Sequence, residues 1–129
     1  MDTSIDILHE ILARLKRDVQ DLSAELVLLL IPTPSQIEPE LDRVRIQRVC
    51  QILNLGAEEL KLEDELCQRL TRIAINMGVA VVDLRSEFSE IREKTGQPLY
   101  YRTDWHCNTT AHEAIATRLL RQLEEMTGS

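Results

Sequence analysis

Ile5, Leu8, Leu12, Leu15, Val19 and Leu22 step along the chain by threes and fours. That spacing puts one apolar stripe on a helix running roughly from Ser4 to Ser23. The next six residues from Leu26 to Ile31 are all apolar and are closed by Pro32. An unbroken run of that kind fits a strand covered on both faces, as in a parallel sheet. Pro32, Pro34 and Pro39 then predict a loop, because proline lacks the N–H that a helix interior needs. A second helix is expected over Glu40 to Leu53, with Leu41, Val44, Val49 and Ile52 inward, broken by Asn54 to Gly56. A third spans Leu62 to Met77, with Leu62, Leu66, Leu70, Ile73 and Met77 inward. Gly78 stands where a helix ends in the left-handed conformation.

Val79 to Val82 is β-branched enough for a short strand, and Asp83 closes it. A short helix follows over Ser86 to Lys94 and stops at Gly96. The last helix begins after Asn108. Thr110 and Glu113 have capping-box spacing, and Ala111, Ile115, Leu119, Leu120, Leu123 and Met126 form the stripe expected to be buried. Strands alternating with helices argue for right-handed βαβ units in one domain. The fold class is α/β with a parallel sheet. Two strands are clear and Leu99-Tyr100-Tyr101 is a third candidate. A strand as apolar as Leu26 to Ile31 wants neighbours on both sides, and one of them is missing from this stretch of sequence. The open apolar edge is a natural surface for self-association or for another partner.

Charge narrows the partners. The formal net charge is -7, which disfavours nucleic acid and anionic membrane surfaces, since both call for clustered cations. Arg14, Lys16 and Arg17 read as a solvated helix face. Three cysteines with no CxxC pair do not make a disulfide scaffold. Cys50 and Cys67 fall on apolar helix faces as small hydrophobes, and reduced thiols fit a cytoplasmic chain. Met1 to Glu10 does not read as a signal peptide, and Leu26 to Ile31 is far too short to span a bilayer. In a fragment, any targeting segment would lie in the missing part. No cofactor site is expected. A metal reading of Asp104, His106, Cys107 and His112 lacks a recognised ligand spacing.

The stretch from Leu99 to His112 carries the chemistry. Asp104 and His106 are two positions apart in a loop beyond a strand-helix unit, where sites gather in α/β sheets. A carboxylate there can hold one imidazole nitrogen, fix the tautomer and leave the other nitrogen to take a proton. The plain alternative is a loop-capping pair with no catalytic role. His112 and His9 read as structural. Asp83 reads as a turn or helix cap, with a site carboxylate as the alternative. Trp105, Tyr100, Tyr101 and Phe88 are the only aromatics. Packing is their default, with a sugar-facing groove as the sharper reading.

The run Asp104-x-His106-x-Asn108, with His112 and an Ile-Ala helix behind it, resembles the last block of the SGNH (GDSL-type) hydrolases. Leu28 to Ile37 is similar to the strand and proline loop before that block. Gly78 to Leu84, with Phe88, is similar to the strand between them. The DxH spacing resembles the branch related to polysaccharide O-acetylation. The resemblance implies a three-layer α/β sandwich of the flavodoxin-like SGNH type, here incomplete. It implies acyl-ester hydrolysis or transfer, with His106 as general base, Asp104 as its orienting carboxylate, and an acyl ester or carbohydrate as substrate.

The family's serine lies in a Gly-Asp-Ser turn near its N-terminus. Ser4, Ser23, Ser35, Ser86, Ser89 and Ser129 all stand outside such a turn. The Gly and Asn oxyanion blocks would also precede Ser4. Ala111 stands where a Gly usually precedes the second His, and Cys107 where some relatives carry Trp. The expectation is therefore an esterase or acyltransferase domain that lacks its N-terminal portion and is inactive alone. The alternative is a non-catalytic SGNH-like binding or assembly module.

Overall fold

The computed structural model describes residues 3–54, 56 and 62–128. Among them, the chain runs α1 (Thr3–Asp21), β1 (Val27–Leu30), α2 (Pro34–Ile37), α3 (Pro39–Leu53), α4 (Leu62–Asn76), β2 (Ala80–Asp83), α5 (Arg85–Thr95) and α6 (Thr109–Thr127). This is a mostly helical α/β arrangement in which β1 and β2 pair as a small parallel sheet. Leu99-Tyr100-Tyr101 does not join it. Tyr100 instead makes an isolated antiparallel bridge with Cys107. The prolines do not exclude helix. Pro34 and Pro39 each open one, at a position whose N–H has no helical partner in any case.

Two compact units emerge, Met1–Leu29 with Lys61–Val81 and Leu30–Leu60 with Val82–Ser129. In the first unit α1 packs on α4. Leu12, Ala74 and Val79 are buried there, with Leu26, Leu28, Leu70, Ile73, Met77 and Val81 against them. α4 ends as the glycine predicts. Gly78 takes φ +69° and its N–H reaches the Ile75 carbonyl at 2.9 Å, while Val79 N–H reaches Ala74 at 2.9 Å. These two bonds satisfy carbonyls that the helix end would otherwise leave open. Lys16 Nζ caps the Met77 carbonyl.

In the second unit Phe88, Leu84, Leu99 and Val82 are fully buried. α2 packs on α3 and α5, and α5 on α6. The Phe88 and Tyr100 rings meet edge to face, with centroids 6.1 Å apart. Leu84 N–H extends the strand pairing to the Leu30 carbonyl at 3.1 Å.

Several residues expected inward lie outward. On α3, Val44 is 79% and Ile52 73% exposed. The side chains of Leu41 and Val49 lie outside the described residues, as does that of Leu62. Leu15, Leu22, Leu66, Leu120 and Leu123 are also exposed. Length explains this. Four-residue strands reach about 13 Å, whereas a helix of fifteen or more residues runs about 22 Å or longer. Two such strands cannot cover the apolar stripes that the helices carry. Cys50 and Cys67 are half-buried and in no disulfide.

Truncating Phe88 therefore separates true core from exposed stripe. Phe88→Ala should cost about 3–5 kcal/mol of unfolding free energy, and Val44→Ala within about 0.5 kcal/mol, by urea titration. A comparable loss at Val44 would put the α3 stripe back inside.

Candidate functional site

α5 stops at Gly96, which takes φ +66° and closes the helix onto the Arg92 carbonyl. The chain then folds back on itself. Tyr101 N–H bonds the His106 carbonyl at 3.0 Å, and Asn108 N–H bonds the Leu99 carbonyl at 2.9 Å. Residues 99–101 and 106–108 thus form two antiparallel limbs with Arg102 to Trp105 at the tip. Asn108 ties the base. Its Nδ2 donates to the Pro98 carbonyl at 2.7 Å, and its Oδ1 accepts from Ala111 N–H at 3.1 Å. The N-cap of α6 is accordingly Asn108, not Thr110. An Asn side chain in extended backbone reaches N3, as capping residues do, and Thr110 already lies inside the helix.

At the tip, Asp104 Oδ1 stands 3.1 Å from His106 Nδ1 and also accepts the His106 backbone N–H at 3.1 Å. One carboxylate oxygen closes the turn and faces the ring. The atom that caps the loop is therefore also the one nearest the imidazole. An imidazole that carries its single proton on Nδ1 leaves Nε2 as the acceptor. Both side chains are open, His106 at 84% and Asp104 at 52% exposed. Tyr101 and Trp105 flank them half in solvent, whereas Phe88 and Tyr100 are buried. The default of packing holds for two of the four aromatics.

The other candidates fall apart from the pair. His112 is exposed on the first turn of α6, and His9 is exposed on α1. Cys107 is half-buried and burial raises its thiol pKa, which keeps it protonated and a poor nucleophile at neutral pH. Ser35 Oγ is 2.6 Å from Thr33 Oγ1, within the α2 cap. Among the described residues no three His, Cys, Asp or Glu side chains gather around one point as metal ligands would. No described helix is long and apolar enough to cross a membrane.

Asp83 serves its own turn. Its Oδ1 accepts Arg85 N–H at 3.0 Å, and the guanidinium grips both carboxylate oxygens, Nη2 to Oδ2 at 2.6 Å. Burial alone would raise its pKa, but the hydrogen bonds and charge of Arg85 together outweigh it and hold the value below the usual carboxylate range.

Glu38 escaped the reading of the sequence. It joins α2 to α3, its side chain is 3% exposed, and its Oε1 accepts Leu99 N–H at 2.9 Å. Arg92 Nε lies 3.8 Å away. Tyr100 Oη donates to the Pro32 carbonyl at 2.6 Å, and burial pushes the phenol pKa far up, so it stays a neutral donor. One signal was available. Glu38 occupies the N-cap before Pro39 without making a cap bond, where Ser, Thr, Asp or Asn is usual.

A family comparison matches residues 3–128 to the SGNH hydrolase-like domain of the acetyltransferase AlgX. Comparison with curated proteins and with solved structures gave no significant match.

The Asp83–Arg85 pair makes a pH prediction. A depressed carboxylate contributes stability above its unfolded pKa and loses it as pH falls through the folded value. Asp83→Asn should be less stable than the parent near neutral pH, with the gap closing on acidification. Urea midpoints across the acid range measure it, and a gap that persists in strong acid contradicts the assignment.

Proposed function

The chain belongs to the SGNH hydrolase-like family of the AlgX acetyltransferase domain, and from that premise we propose that it carries the base half of an acyl-ester hydrolase or O-acyltransferase. His106 is the general base and Asp104 its orienting carboxylate. The carrying observation is the 3.1 Å approach of His106 Nδ1 to Asp104 Oδ1 on a tip open to solvent. In this reading Nε2 takes the proton of a serine hydroxyl. The serine attacks the ester carbonyl, and the imidazolium is stabilised by Asp104 before it returns the proton to the leaving alcohol.

No serine among these 129 residues stands in a Gly-Asp-Ser turn, so the nucleophile and the oxyanion donors belong to a segment outside them. The same reading takes the two paired strands as part of a larger three-layer sandwich. Tyr101 and Trp105 flank the pair, and exposed aromatic faces suit a carbohydrate acceptor.

Small aryl acetates test this. The chain alone should show no turnover. Supplying the serine-bearing segment in trans should produce turnover that Asp104→Asn or His106→Ala lowers by about 10³–10⁴-fold. Turnover by the chain alone that His106→Ala abolishes would overturn the division of labour.

A second reading, a non-catalytic assembly module, is favoured by the sheet. Among the described residues β1 pairs only with β2, and its four apolar residues are only half-buried. An open strand edge invites another strand, here from a second copy of the chain. Light scattering during size exclusion should then give a dimer whose share grows with concentration. A monomer at every concentration removes this reading.

A further inference from the structure

We propose that Glu38 is a positioning residue for the Asp104–His106 pair, holding the loop that presents them from a site at the far end of its limbs. The inference rests on the base role of His106 given above.

The loop's first limb is fastened at two successive residues. Leu99 gives its N–H to the Glu38 carboxylate, and Tyr100 gives its hydroxyl to the Pro32 carbonyl. Both acceptors sit at the two ends of one short brace, Pro32 to Glu38, which contains α2. The brace is itself stiff. Pro34 fixes φ at its first helical position, and Thr33 N–H is closed by Gln36 Oε1 at 2.8 Å. Glu38 N–H returns to the Pro34 carbonyl at 2.7 Å.

The Glu38 side chain has little other employment. It makes no helix-cap bond, yet it is taken out of water, which is costly unless partners repay it. The partners are Leu99 N–H, at the root of the loop, and Arg92. Arg92 also donates to the Gly96 carbonyl, where the chain leaves α5 for the loop. One carboxylate thus gathers the entry to the loop from both sides.

From Leu99 the geometry passes along the paired limbs. The Tyr100–Cys107 bridge and the Tyr101–His106 bond set where the His106 backbone lies. That backbone N–H donates to Asp104 Oδ1, the oxygen that the ring Nδ1 approaches to 3.1 Å. Removing the Glu38 acceptor leaves a buried Leu99 N–H unpaired, which the loop relieves by moving out toward water. The register that brings His106 Nδ1 to Asp104 then loosens.

Imidazole ¹⁵N shifts of His106 in the full chain, recorded where the ring is neutral, read this directly. The parent should show Nδ1–H with Nε2 unprotonated. Glu38→Ala should lose that signature and move to a mixture of both tautomers. Glu38→Gln, which keeps a carbonyl oxygen for Leu99, should retain it. Glu38→Asp keeps the charge but draws the oxygen back by one carbon–carbon bond, and should lose the signature with milder effect on folding. A merely structural role would lower the melting temperature of these variants without sorting them by tautomer. The parental signature in folded Glu38→Ala, or in Glu38→Asp should the alanine variant not fold, overturns the proposal. A parent without Nδ1–H would instead overturn the base role of His106, and the positioning role with it.

Discussion

A loop tip holds two side chains in register only as well as its limbs are held at the root. Here the root is a buried carboxylate taking the Leu99 N–H and a buried phenol giving its proton to the Pro32 carbonyl. Both bonds are made out of water, where a hydrogen bond is stronger and its loss more costly. Asn108 closes the other limb and starts α6 with the same side chain. The pair at the tip contributes little to its own placement, since even an exposed ion pair would be worth only about 0–1 kcal/mol. Order at Asp104 and His106 is therefore set from the interior outward.

The elements were largely legible because helix and strand periods differ. The stripe from Ile5 to Leu22, the run ending at Pro32 and the glycine at position 78 each carry a local physical signal, and the helix, the strand and the helix end form there, although Leu15 and Leu22 lie outward and the strand is only half-buried. Asp104 and His106 were legible for a similar reason, since two residues in sequence can meet through one turn. What failed was non-local. Whether Val44 or Leu120 is covered depends on how much sheet faces it, and no spacing within a helix records that. Pro34 and Pro39 misled because proline excludes helix interiors but suits helix starts. Glu38 was hidden because its partner Leu99 lies 61 positions away, and a lone Glu before a proline has the appearance of a solvated residue.

The exposure of His106 bears on chemistry. An imidazolium facing bulk water gains little from a neighbouring carboxylate, because the solvent screens it. The same pair under cover of low dielectric is worth several times more, and dipoles aimed at a developing oxyanion act strongly only there. As the proposed base, His106 thus lacks the dielectric half of its environment. In the proposed reading, the body that brings the serine hydroxyl also brings the cover. Nucleophile, oxyanion donors and desolvation then arrive together. Prior to that arrival, the open tip gives the acceptor free access, with Tyr101 and Trp105 offering it two faces. This reading accounts for a pair that is close together yet unprotected. In it, the geometry comes from Glu38 and Tyr100 within the chain, and the catalytic strength is deferred to the partner that closes over it.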